Sequence, residues 1–234
     1  MAKCKLCGSD KKLLKSHIIP EFMYKTMYDE SHKFHCISSI TEKPNYVKRK
    51  GEWERLLCNE CEVDMSKYEG YVALLLNGKM EINVRNHNGL IEISGIDYKL
   101  FKLFQLSILW KASISNRALF NEVALGKHEE VIRKMLLSGK PAENNKYGCI
   151  MIATMHDGEH IDSMILQPKK KRVDGQICYR FVFGGFWWLF FCASHKPNAK
   201  LTKLFINAEG TGFLLTKELS SAEHVVQFAA EVNV

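Results

Sequence analysis

Apolar residues change their spacing along this chain, and each change predicts a different element. After Cys58, Val63, Tyr68, Val72, Leu75 and Leu76 recur at helical intervals until Asn77-Gly78 closes the run. Ile82 and Val84 then alternate, Asn88-Gly89 supplies a two-residue turn, and Leu90, Ile91 and Ile93 return, which predicts a hairpin. Asp97 caps a predicted helix reaching about Ala118, in which Phe101, Leu103, Phe104, Leu106, Ile108, Leu109 and Trp110 wrap nearly all round. A helix apolar on most faces is a buried, central one. A second helix is predicted over residues 127–137, closed by Gly139 and Pro141.

From Tyr147 the pattern shortens to strands, predicted at 147–155, 161–166, 177–183, 186–192, 203–206 and 213–216. Turns are expected at Asp157-Gly158, at Lys169-Lys170-Lys171-Arg172 with Asp174-Gly175, and at Gly184-Gly185. Ser220-x-x-Glu223 reads as a capping box opening a closing helix to about residue 230. The first 57 residues are less periodic. They give a short strand ending at His17, a bend at Pro20, a short helix carrying Tyr24, Met27 and Tyr28, and a polar loop through Lys43-Pro44-Asn45. His32, His35 and Cys36 read as loop residues rather than metal ligands.

Together these elements predict an α+β protein. A zinc module in treble-clef order occupies residues 1–78, and an α+β region occupies 79–234, with a helical pair at about 97–138 and an antiparallel sheet with its closing helix at about 147–231. No internal repeat or long linker separates the two.

Composition adds bounds. With 234 residues, 46% of them hydrophobic, the chain can build a core that does not rest wholly on a metal. A formal charge of +7 favours a polyanionic partner and sets no membrane role. The most membrane-like stretch, residues 177–194, is broken by Arg180 and Gly184-Gly185, so a buried hairpin is expected there, and its aromatic run is read as core rather than as a base-stacking surface. The N-terminal Met-Ala-Lys-Cys-Lys lacks the apolar stretch of a signal peptide, so the eight cysteines are expected reduced, in a cytoplasmic setting.

Candidate chemistry concentrates in the first module. Cys4-x-x-Cys7 and Cys58-x-x-Cys61 are two pairs, each suited to one side of a tetrahedral zinc ion, and four thiolates make a closed, structural site. Cys36, Cys149, Cys178 and Cys192 are expected to pack as small hydrophobes. Between the pairs lies Ser16-His17-Ile18-Ile19-Pro20. An imidazole near its ordinary pKa can accept a proton from water at neutral pH.

Cys-x-x-Cys-Gly, a strand ending in His-Ile-Ile-Pro, and Leu-Cys-x-x-Cys at the head of a helix together resemble the zinc-stabilised HNH endonucleases of the ββα-metal class, over about residues 4–70. The resemblance implies a metal-dependent endonuclease acting on DNA or RNA, with His17 as general base and a divalent ion, magnesium or manganese, steadying the leaving oxygen. The Ser-His-Ile-Ile-Pro-Glu-Phe motif is also similar to uncharacterised bacterial proteins associated with mobile elements or phage defence.

The chain departs from the family pattern where metal ligands are expected. Ser16 stands where Asp or His commonly precedes the base, and neither the middle Asn nor the final His is present. Glu54 and Glu62 are the replacement ligands the sequence offers, with Glu69 and Ser66 on the same helix face as Glu62. The alternative is that these are ordinary surface charges and that His17 only braces the knuckle. The basic runs Lys48-Arg49-Lys50 and Lys169-Lys170-Lys171-Arg172 are candidate phosphate contacts or solvated turns. His156-Asp-Gly-Glu-His160 reads as a hairpin turn rather than a metal cluster. The rival to an enzyme is a catalytically degenerate module that binds nucleic acid or a larger protein partner. Oligomeric state is not legible.

Overall fold

Strands β1 (Ala2–Lys3) and β2 (Asp10–Lys11) pair across the first Cys-x-x-Cys turn in the computed structural model, which describes residues 2–37, 44–87, 90–192 and 199–219. Gly8 makes that turn possible, since at φ 77° a side chain would be strained. Strand β3 (Leu13–His17) follows, then Pro20 opens a 3-10 helix (Glu21–Met27) that buries Met23 and Tyr24. Where a polar loop is expected, β4 (Phe34–Cys36) and β5 (Tyr46–Lys48) form a small antiparallel pair. Buried Phe34, beside the Tyr24 and Tyr28 rings, anchors it. Strand β6 (Trp53–Cys58) pairs antiparallel with β3 and leads into helix α1 (Asn59–Leu76).

Helix α1 buries Cys61, Met65, Tyr68, Val72 and Leu75, spaced four, three, four and three, which places them on one stripe. Val63 lies off that stripe and is exposed, contrary to its place in the predicted pattern.

The remainder forms one large mixed sheet with helices on it. Strands β7 (Asn83–His87) and β8 (Leu90–Ser94) make the expected hairpin, although its turn falls outside the described residues. Helix α2 (Tyr98–Ile114) is capped by Asp97 Oδ1, which accepts from the Leu100 amide at 2.9 Å. It is buried without interruption from Phe101 to Ala112 and lies between α1 and α3 (Lys127–Ser138). Gly139, in the left-handed region, closes α3 as expected. Helix α2 ends four residues before the predicted limit, because Ser115 turns extended and residues 118–120 form a separate 3-10 turn.

Strands β9 (Cys149–His156), β10 (Glu159–His160), β11 (Leu166–Val173), β12 (Gln176–Phe183) and β13 (Phe186–Phe191), short helix α4 (Ala199–Leu204) and strand β14 (Gly212–Glu218) complete the chain. The sheet runs β11-β12-β13-β9-β14-β8-β7, with β10 on β9; β14 lies parallel to β9 and every other pair is antiparallel.

The sheet expected to be antiparallel is mixed, because β14 runs parallel to β9, and three further expectations are corrected. Residues 161–166 form no strand before Leu166; the β9–β10 hairpin continues there only through Ile161 N to Thr154 O at 2.9 Å. Lys169-Lys170-Lys171-Arg172 is not a turn but part of β11, whose turn comes at Asp174-Gly175. As the sheet's edge strand, β11 gains from lysines that deter pairing with another chain. Residues 203–206 do not form a strand either: α4 lays Leu201, Leu204 and then Phe205 against Ile150 and Phe191. The helix expected from Ser220 lies outside the described residues.

The aromatic run is core. Trp188 is fully buried, stacked on Phe183 at 5.1 Å, with Phe101 and Phe104 of α2 at 6.2 and 6.1 Å. One hydrophobic cluster extends from Cys4 and Leu6 through α1 and α2 to Phe190 and Ile206, so the N-terminal module and the sheet share it. Among the described residues no helix is long and apolar enough to cross a membrane.

Candidate metal centre and histidine site

The knuckle between β1 and β2 brings Cys4 and Cys7 to the point where β6 passes into α1, which carries Cys58 and Cys61. The four sulfurs all lie within 4.8 Å of one another, and Cys7 Sγ is 3.8 Å from Cys58 Sγ. With zinc–sulfur bonds of about 2.3 Å, a tetrahedron has edges of about 3.8 Å. The site therefore fits zinc in both size and chemistry. All eight cysteines are free.

Cys4 Sγ also accepts from the Cys58 amide at 3.3 Å, and Cys58 occupies the N-cap of α1, where the helix dipole favours a thiolate. Hydrogen bonding from Ser9 brings Cys7 down to about 6, while burial pushes Cys58 and Cys61 up. A bound cation offsets that burial term by favouring all four thiolates.

His17 ends β3. Its Nε2 lies 3.0 Å from Glu21 Oε2 but is not aligned with it for a hydrogen bond, so this solvent-shielded nitrogen has no hydrogen-bond partner among the described residues. Burial lowers the imidazole pKa; Glu21 opposes the shift and Lys111 adds to it. Glu21, the Glu of the Ser-His-Ile-Ile-Pro-Glu-Phe motif though not assigned a role from sequence, is held in turn by the Tyr28 hydroxyl and by the Gly51 amide at 3.3 Å. The turn after Pro20 brings this carboxylate back to a residue four positions earlier.

Gly51 has to be glycine here, because a Cβ would come within 2.4 Å of the Tyr24 ring. Gly51→Ala is expected to lower stability by about 1–3 kcal/mol, as overpacking does. It should also loosen Glu21, and a thermal melt with histidine NMR reads both effects.

The carboxylates named from sequence are placed separately. Glu62 is half-buried and accepts from Ser16 Oγ; burial raises its pKa and the Ser16 bond opposes that. Glu69 lies 2.8 Å from Lys111 Nζ, which also donates to the His17 carbonyl at 2.6 Å. Ser66 bonds the Val63 carbonyl of its own helix at 2.8 Å.

Glu54 turns toward the end of α2. It accepts from Ser115 Oγ at 3.0 Å, Asn116 N at 2.8 Å and Asn116 Nδ2 at 2.8 Å, and these bonds fix the turn that ends the helix. His17, Glu54 and Glu62 thus do not converge. Among the described residues the four cysteines are the one group of three or more His, Cys, Asp or Glu whose ligand atoms do. The residues proposed for a catalytic divalent ion do not fit one in this arrangement.

Lys111, 94 residues from His17, instead ties α2 to both β3 and α1. Its side chain is 3% exposed and that of Glu69 25%. Lys111→Met should therefore cost about 3 kcal/mol, the low end for breaking a buried pair, because Glu69 keeps some access to water. Chemical denaturation would measure it, and pairing the change with Glu69→Gln should recover part of the loss.

Lys48 is held by Glu52 and Lys169 by Glu122, whereas Arg49, Lys50, Lys170, Lys171 and Arg172 are exposed. His156 and His160 flank the expected turn, with Asp157 and Gly158 both at positive φ. No family model matches the chain, and no curated protein or solved structure is significantly similar to it.

Proposed function

We propose that the first module is a treble clef of the ββα-metal type and that the protein hydrolyses phosphodiester bonds in nucleic acid, DNA ahead of RNA, with His17 as the base. The observation that carries this reading is the state of His17. It is half-buried at a strand end, its pKa is held below the ordinary value so that the ring is neutral at pH 7, and Nε2 is turned to Glu21. Among the described residues Nδ1 has no hydrogen-bond partner, and it is not one of the shielded atoms, which leaves it to take a proton from water. Glu21 is then a positioning residue whose negative charge beside Nε2 favours the tautomer with hydrogen there. The four cysteines hold a structural zinc that fixes β3 and β6 against α1 and takes no part in the chemistry.

No step is assigned to a divalent ion, because Glu54 is engaged by Ser115 and Asn116 and the remaining ligands do not gather. The same observation favours a second reading, a module that binds nucleic acid without cutting it. Incubating the zinc-loaded protein with single-stranded and duplex DNA and with RNA, with and without magnesium or manganese, separates the two when His17→Ala is run beside it. Cleavage lost in the variant supports hydrolysis; equal behaviour of the two proteins sinks it. A role in phage defence or mobile-element biology rests on the motif resemblance and is tested by plaque counts on cells carrying either protein.

A further inference from the structure

The pairing of β3 with β6 sorts their side chains onto two faces. Lys15 lies opposite Arg55, Ser16 opposite Glu54 and His17 opposite Trp53. Residues directly opposite one another, and those two apart on a strand, share a face. Ser16 and Glu54 therefore point to one side, where Glu62 and the end of α2 receive them. Lys15, Arg55, Trp53 and His17 occupy the other.

That second face is cationic and aromatic. Lys15 Nζ stands 4.3 Å from the centre of the Trp53 ring. Arg117, from the turn after α2, places its guanidinium 5.4 Å from the same ring and donates through Nε to the Trp53 carbonyl at 2.7 Å. Arg55 bonds the Leu13 carbonyl at 2.9 Å. None of the three cations has a carboxylate within ion-pair distance among the described residues, in contrast to Lys48 and Lys169 of the two basic runs. Lys15 and Arg55 are exposed, and Trp53 and Arg117 half-buried.

The geometry points to this ribbon face as the nucleic-acid contact, with Lys15, Arg55 and Arg117 on the phosphates of a single strand and an unpaired base stacked on Trp53, one cross-strand rung from His17. It rests on the nucleic-acid part of the function proposed above, not on cleavage. Two cations on one aromatic ring and a third on the same face make the combination that sequence-tolerant single-strand binders use, a charged track plus a stacking platform. Lys15, on a flexible exposed stem, can leave the ring for a phosphate and open that face to a base. A duplex offers the phosphates but no free base.

The test is binding of a fluorescein-labelled single strand and its duplex by full-length, zinc-loaded protein in the His17→Ala background, across a salt series. Combining Lys15→Gln, Arg55→Gln and Arg117→Gln should reduce the slope of log affinity against log salt by about 2, three contacts at about 0.7 each. Trp53→Ala should weaken single-strand binding tenfold or more, and Trp53→Phe, which keeps a ring, should restore most of it. Zinc content and melting curves exclude unfolding as the cause.

Binding that ignores all these changes overturns the proposal. So does a loss that follows Lys170→Gln, Lys171→Gln and Arg172→Gln instead, or single-strand binding that Trp53→Ala leaves intact. If the wild type binds through this face and never cuts, the contact stands and the hydrolase reading fails. If it cuts and the triple variant cuts equally well, the hydrolase reading stands and the contact fails.

Discussion

Cys58→Ser is expected to remove the bound metal and to unfold the N-terminal module while leaving the large sheet in place. Structural zinc contributes about 10–16 kcal/mol of apparent binding energy in small zinc-finger peptides, where binding energy is folding energy. That exceeds much of a typical domain's net stability of about 5–15 kcal/mol. Cys58 concentrates several roles: its sulfur is 3.8 Å from that of Cys7, its amide bonds Cys4, and it joins β6 to α1. Without the ion, the β1–β2 knuckle has little of its own, since both strands are two exposed residues long. The sheet keeps Trp188, Phe181, Phe183 and Phe190 packed beneath α2.

Two measurements check this. Metal analysis of the wild type should find one zinc per chain, and little in the variant. Hydrogen exchange should show amides at residues 2–17 and 53–61 losing protection while those of β9, β12 and β13 keep it. The same pattern should follow chelation, or acidification that protonates the thiolates. Cys149→Ser and Cys178→Ser, away from the cluster, should leave metal content unchanged. A zinc-free wild type with unaltered exchange would end the structural-zinc account.

What could be read in advance divides by the distance over which a residue acts. The four cysteines were legible because a tetrahedral ion demands donors in closely spaced pairs, and the spacing survives in the chain. Helices α2 and α3 were legible through local signals, the Asp97 cap and Gly139 closure. The edge strand β11 was misread because four consecutive basic residues look like a turn, and only its position beside β12 gives them a strand role.

At the histidine site the missing information was tertiary. Glu21 reaches His17 only because the chain doubles back after Pro20. Glu54 has the form of a metal ligand in sequence, yet its partners Ser115 and Asn116 lie 61 and 62 residues further along the chain. Lys111 and Arg117, which complete the histidine's surroundings and the Trp53 face, come from the same distant stretch. No periodicity points from one stretch to the other.

His17→Ala is expected to lower the rate of phosphodiester cleavage by about 10²–10⁴, the usual contribution of a positioned general base. Binding in the same variant should be unchanged, since the imidazole acts on water and the phosphate contacts are assigned to Lys15, Arg55 and Arg117. The pH dependence gives a second readout. A base must be neutral, so the rate should climb with pH through the pKa of His17 and then level. Burial lowers that pKa below 6.5 in the folded protein, and Lys111 adds to the shift while Glu21 opposes it.

The acid limb should consequently lie below pH 6.5. In Glu21→Gln, which removes the opposing charge, it should move further down rather than up. The stability linkage has a definite sign as well. With the folded pKa lower than the unfolded one, the unfolded chain binds more protons between the two values, so this group's contribution to stability rises with pH across that window and is lost as pH falls through it. If His17 is instead a brace for the knuckle, its replacement would shift the melting temperature and zinc retention, and the acid limb would not respond to Glu21→Gln. A limb that moves with Glu21 at constant zinc content would assign the proton transfer to His17.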